Sequence, residues 1–193
     1  MIPRPRLLLA ALGLVALAMP AYADGQVQKL ITAADKTRLD NYGETRKAAL
    51  NEAKAGAPAD LKQLNELLAR PIVAFSDKDL TGNWKCRTIK AGGLGPLVIY
   101  GWFKCKVTDD GSGWKLEKIS GSQRTSGRFF DDGEKRAIYL GSSSVNNDKA
   151  KPYGSGPESD QAGYAFRNSA TAWRIEFPLP YYESKLDIME FKR

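Results

Sequence analysis

A chain of 193 residues, 42% of them hydrophobic, is long enough to enclose a real core in one domain. Its 29 Lys and Arg against 22 Asp and Glu give a net charge of +7, but the basic residues fall in scattered pairs such as Lys104/Lys106 and Lys149/Lys151. A nucleic-acid surface needs a clustered stripe, so the balance points to solubility and acidic partners and away from nucleic acid. The chain has no histidine, which closes imidazole acid–base catalysis and histidine metal ligation to it.

At the start, Arg4 and Arg6 precede an apolar run over 7–18 and a small-x-small site at Ala21-Tyr22-Ala23. That is the layout of a secretory signal peptide, predicted to be cleaved after Ala23. An apolar run of about a dozen residues is too short for the roughly 20 that span a bilayer. The expectation is therefore a periplasmic or secreted protein with no stable membrane insertion after cleavage. Loss of two arginines would leave 27 basic residues against 22 acidic ones, a net charge of +5.

Residues 24–71 read as a helical hairpin. The stretch 31–56 is rich in Ala, Leu, Lys and Glu, with Thr32 and Asp35 placed as a capping box and Gly56 as a terminator. Pro58 suits the first turn of a second helix, whose apolar stripe is Leu61, Leu64, Leu67 and Leu68, and Pro71 ends it.

From 72 to 193 the rhythm changes to period two, with turn residues every ten or so positions. Strands are predicted near 80–90, 97–107, 114–120, 123–130, 135–142, 161–168, 171–178 and 185–192. The alternation is plainest in "TAWRIEF", where Trp173, Ile175 and Phe177 share one face and Arg174 and Glu176 the other. Short connections between nearly all neighbours favour an up-and-down barrel over a sandwich. The fold class is α+β, a helical hairpin followed by an eight-stranded antiparallel β-barrel. The one long connection, over 143–161, is where an extended loop can serve function.

Cys86 and Cys105 are the only cysteines. A zinc site needs four good ligands and a catalytic thiolate a histidine base, so in an exported chain the pair is expected to form a disulfide. Cys86 directly opposite Cys105 puts the reversal at Gly95-Pro96, whereas a wider loop shifts the two to a diagonal.

"GNWKC", 82–86, resembles the Gly-x-Trp opening of calycin-type barrels such as lipocalins, avidins and secreted inhibitors of metalloproteases. The resemblance implies that Trp84, after Gly82, closes one barrel end beneath a basic residue of the last strand, here Lys192 or Arg193. "GNWKCRTIK", "YGWFKCKV", "EKISGSQRTSGRFFDD", "IYLG" and "ESKLDIMEF" resemble, in that order, a family of secreted bacterial proteins catalogued as domain of unknown function 4893. This implies export and the same architecture, and brings no catalytic residue or ligand.

Binding candidates come from unusual placements. In "SGSQRTSGR", Gln123 and Arg124 offer donors for an anionic or polar ligand, while Gly121 and Gly127 equally suit a narrow barrel that must admit bulky neighbours. Glu190 shares a face with Leu186 and Ile188 and needs a basic neighbour, for which Arg87 and Arg124 are candidates. Tyr153 in the long loop, and Tyr181, Tyr182 and Glu183 before the last strand, suit contact at a barrel mouth. The expected function is a non-catalytic binding module for a small or peptide-like ligand, with no cofactor and no metal. The alternatives are a protein–protein role such as protease inhibition, and a histidine-free hydrolase.

Overall fold

The computed structural model describes residues 25–76 and 79–193, so the leader and its cleavage site lie outside the described residues. The described residues begin with four helices, α1 (Gly25–Leu30), α2 (Ala33–Asp40), α3 (Tyr42–Ala53) and α4 (Pro58–Leu68). Thr32 caps α2, its hydroxyl accepting the Asp35 amide at 3.2 Å. The single helix expected over 31–56 breaks at Asn41, which sits at φ −88°, ψ 4°. Its side-chain amide donates to the Thr37 carbonyl at 2.9 Å, so an asparagine able to satisfy local carbonyls ends one helix and admits the next. None of the described helices is long and apolar enough to cross a membrane.

The β half comprises β1 (Gly82–Gly93), β2 (Leu97–Ile99), β3 (Phe103–Asp109), β4 (Trp114–Lys118), β5 (Gln123–Asp131), β6 (Ala137–Val145), β7 (Asp160–Arg167), β8 (Ala172–Pro178) and β9 (Ser184–Lys192). Each strand from β3 to β8 pairs antiparallel with the next. β1 pairs with both β3 and β9, which closes an eight-stranded barrel, and β2 adds an extra strand on β1.

The strand expected over 97–107 is thus divided. Ile89 pairs with Ile99 but Cys86 with Phe103, so the partner carries one residue more than β1 across the same span, a bulge over 100–102. The bulge moves the cysteines onto a diagonal: Trp84 faces Cys105 and Cys86 faces Phe103. The two cysteines are bonded with Cα atoms 5.9 Å apart, and no free cysteine remains.

One end of the barrel is filled. Trp173 stacks on Phe191 with ring centres 3.6 Å apart, Trp84 meets Trp173 edge-on, and Phe129 and Tyr139 complete the aromatic plug. The Trp84 indole donates to the Leu80 carbonyl at 2.8 Å, and the Arg193 guanidinium lies 4.2 Å above the Trp84 ring while donating to the Thr81 carbonyl. Arg193 is therefore the residue that closes this end, with Gly82 at φ +115° giving it room. Lys192 rests instead 4.1 Å over Trp102.

The helices cover the wall of the barrel rather than its ends. Ala49, Leu64 and Leu67 pack on Ile89, Leu186 and Ile188, and Val27 and Leu39 on Ile138 and Leu140. Each of the Leu, Ile and Val side chains contributes about 1.5–3 kcal/mol on full burial. Glu190 and Glu176 are buried in this seam. Glu190 is held by Arg70 at 2.8 Å and Arg87 at 2.7 Å. Glu176 accepts from Tyr42, Arg46 and Arg174 at 2.7–2.8 Å. Burial works against the Glu176 charge, but Arg174 and Arg46 outweigh it and hold the carboxyl below its usual range.

Candidate functional site

The aromatic plug stops short of the other end. There a cavity of about 170 Å³ opens to solvent, lined by the ends of the strands together with Glu158 of the long loop and Pro180, Tyr181 and Tyr182 of the β8–β9 connection. An apolar cavity of roughly 150 Å³ holds benzene, so the volume suits a ligand of small-ring or short-chain size.

Its floor is a polar chain. Tyr139, buried on β6, meets the Thr125 hydroxyl at 2.6 Å, and Thr125 meets the Gln161 side-chain oxygen at 2.6 Å. Tyr139 fits because Gly127 and Gly141 lie beside it, where added Cβ atoms would come within 2.6 and 2.4 Å of its ring carbon and hydroxyl. The Gln161 oxygen is engaged by this chain, so the amide's donor end is what remains toward the opening. Met189 of β9 and Phe177 of β8 supply an apolar side.

Charge enters on the inward phase of three strands. On β4, Trp114, Leu116 and Lys118 alternate onto one face, and Lys118 is only 6% exposed. Its ammonium lies 4.5 Å over the Phe103 ring and, among the described residues, has no carboxylate and no hydrogen-bond acceptor. Burial, reinforced by Arg124 and Lys90, pushes its pKa down to about 8. On β1, burial disfavours charge on Lys90, but Asp187 and Glu183, the latter at 2.5 Å, more than compensate and raise its pKa. On β9, burial pushes Asp187 up to about 6, against the opposing pull of Lys90 and of the Ser184 hydroxyl at 2.5 Å.

The rim consists of the β8–β9 hairpin and the long loop. Tyr181 and Tyr182 are half exposed and meet edge-on at 4.7 Å. Leu179 and Glu183 flank them at φ 47° and 69°, left-handed conformations that cost non-glycine residues roughly 1–3 kcal/mol each. Opposite, Arg124 donates to the Gly121 carbonyl at 2.9 Å and to the Asn147 side chain at 3.2 Å, neutral partners, and among the described residues it has no ion-pair partner. Asp160 folds the long loop by accepting three backbone amides, those of Gly154, Ser155 and Gly156. Arg38 of α2 reaches this loop too, bonding Asp35 at 2.9 Å and the Asp160 carbonyl.

The residues singled out in the sequence are divided by the fold. Gln123, Arg124, Tyr181 and Tyr182 come together at the mouth, with Glu183 beside them on Lys90. Arg87 and Glu190 lie in the seam under the helices, paired with each other, and Arg124 is not their partner. Tyr153 packs on the outer wall, its hydroxyl donating to Asp35 at 2.7 Å and accepting from the Thr32 amide. There it borders a separate open groove with Lys115 and Arg128.

Lys118, Gln161 and Asp187 were missed, although one signal for two of them is in the sequence. Lys118 follows Trp114 and Leu116, and Asp187 precedes Met189 and Phe191, each at a spacing of two, so each is a charge on an apolar phase. Among the described residues no group of three or more acidic or cysteine side chains is arranged to hold a metal ion.

A family model described as Domain of unknown function (DUF4893) matches residues 27–191 of the chain. No curated protein and no solved structure matches it.

Proposed function

The chain belongs to the DUF4893 family, and we propose that it is an exported, non-catalytic binding module that holds a small ligand in the open end of its barrel. The observation that carries this reading is the asymmetry of the interior, plugged by aromatic rings at one end and lined at the other by Thr88, Thr125, Gln161 and Lys118 around about 170 Å³ of space. Pockets that combine apolar walls with a few convergent polar groups are where small ligands bind. Export is supported by the Cys86–Cys105 bond, which persists in oxidising compartments.

Protease inhibition through an inserted N-terminal strand has less support. The segment Gly25–Leu30 is helical and Val27 is buried against the barrel wall. One observation favours a histidine-free enzyme instead: Lys118 near 8 and Asp187 near 6 line the same cavity, and displaced pKa values gather at catalytic sites.

A thermal-shift screen of small neutral and charged fragments tests the binding reading. Hits are expected with the native chain and are lost in Thr88→Trp, which fills the mouth. A screen with no hits, or with hits that survive Thr88→Trp, contradicts it. Turnover of ester or amide substrates that disappears in both Lys118→Met and Asp187→Asn would move the protein to the enzymes.

A further inference from the structure

Resting on the binding reading above, the groups left unsatisfied in the mouth specify the ligand's charge. Hydrogen-bonding capacity there is used unevenly. The acceptor of Gln161 is taken by Thr125 and the carboxylate of Asp160 by three backbone amides. Asp187 faces Lys90 and holds the Ser184 hydroxyl, and Lys90 holds Glu183.

What remains is donor-rich. The Gln161 amide nitrogen has no acceptor among the described residues, and neither has the Lys118 ammonium. The Lys118 stem is buried while its ammonium faces the open cavity, so the charge there is partly desolvated and favours a counter-charge brought in by a ligand. The charged groups that shift Lys118 are Arg124 and Lys90, both cations; Lys90 is paired with Glu183 and faces Asp187, which leaves Arg124, held by neutral partners, as the rim's unpaired cation among the described residues. Glu158 also lies on the rim but is exposed to water.

We infer that the mouth takes a small organic monoanion, a carboxylate of about six to ten non-hydrogen atoms, with its charged end on Lys118 and Gln161 and its apolar body against Met189 and Phe177. Lys118 supplies a charge-assisted hydrogen bond from the inner wall of the cavity, and the neutral Gln161 donor fixes the second carboxylate oxygen. Arg124 at the rim draws the anion in from solvent. An inorganic anion would leave the Met189 and Phe177 side empty, and an amine would meet Lys118 and Arg124 with like charge.

Isothermal titration of the full mature chain with hexanoate, hexan-1-ol, hexylamine and inorganic sulfate tests this. Hexanoate is expected to bind at least about tenfold more tightly than hexan-1-ol, the worth of one hydrogen bond to a charged group, and hexylamine and sulfate more weakly than either. In Lys118→Met the acid and the alcohol become equal, while Lys118→Arg keeps the preference for the acid. Circular dichroism of each variant confirms its fold.

Hexan-1-ol or hexylamine binding as tightly as hexanoate, with binding lost in Thr88→Trp, overturns the anion and leaves the cavity reading intact. Sulfate binding as tightly as hexanoate overturns the apolar half. Failure of all four probes together with an empty fragment screen overturns the binding reading itself.

Discussion

Replacing Lys118 by methionine is expected to stabilise the protein at neutral pH. Methionine keeps the length and the packing of the stem while removing a charge that has no ion-pair partner among the described residues. Depression of the amine from 10.5 to about 8 corresponds to roughly 3 kcal/mol at 1.36 kcal/mol per pKa unit. The amine faces a cavity open to solvent, and screening there brings the figure to about 2 kcal/mol. Loss of the contact over Phe103 takes back roughly 0.5–1 kcal/mol. The net gain is about 1 kcal/mol, or roughly 2–4 °C in Tm for a domain of this size.

The sign depends on pH. Because the folded pKa lies below the unfolded one, the penalty on the native chain is complete below about 8 and fades as pH rises toward 10.5. Paired urea melts of the native chain and Lys118→Met at pH 7 and pH 10 measure this, and common alkaline effects cancel in the difference. A variant less stable than the native chain at pH 7, or an advantage of the same size at pH 10, refutes an uncompensated buried ammonium.

Glu190→Ala leaves Arg87 and Arg70 without their carboxylate in the seam under the helices, and a loss of about 3 kcal/mol is expected, read as a drop in Tm. An unchanged Tm would count against the buried pair. Gly141→Ala sets a methyl group within 2.4 Å of the Tyr139 hydroxyl and 2.6 Å of the Ser126 carbonyl, so it should destabilise by about 1–3 kcal/mol and blunt ligand binding by displacing Thr125. Asp187 is raised from 3.8 to about 6, so its folded form holds a proton that the unfolded chain gives up. Stability from this group falls as pH rises from about 4 to 6, and Asp187→Asn should remove that slope from a set of urea melts across the window.

The barrel was legible because each strand alternates and short turns separate them, and the same alternation located the diagonal disulfide as one of two registers. The bulge over 100–102 was not, since "YGW" sits within an otherwise continuous apolar run and only the shift in pairing with β1 reveals it. α1 has six residues, too few for a helical period to register. The site was half legible for a physical reason visible in β9. Leu186 and Ile188 are buried beneath the helices, and Met189 and Phe191 inside the barrel. With both faces dry, period two cannot say which face is interior, so Glu190 and Asp187 look alike in sequence. One closes a structural ion pair and the other lines the cavity. Tyr153 looked free because its partner, Asp35, is 118 residues away.

The most direct test is a ¹H–¹⁵N correlation spectrum of the mature chain titrated with hexanoate. The account predicts saturable shifts of the Gln161 side-chain amide and of the Thr88 and Thr125 backbone amides, with the Trp84 indole at the plugged end unmoved. Shifts that gather at the outer groove beside Tyr153, or no shifts at all, would contradict it.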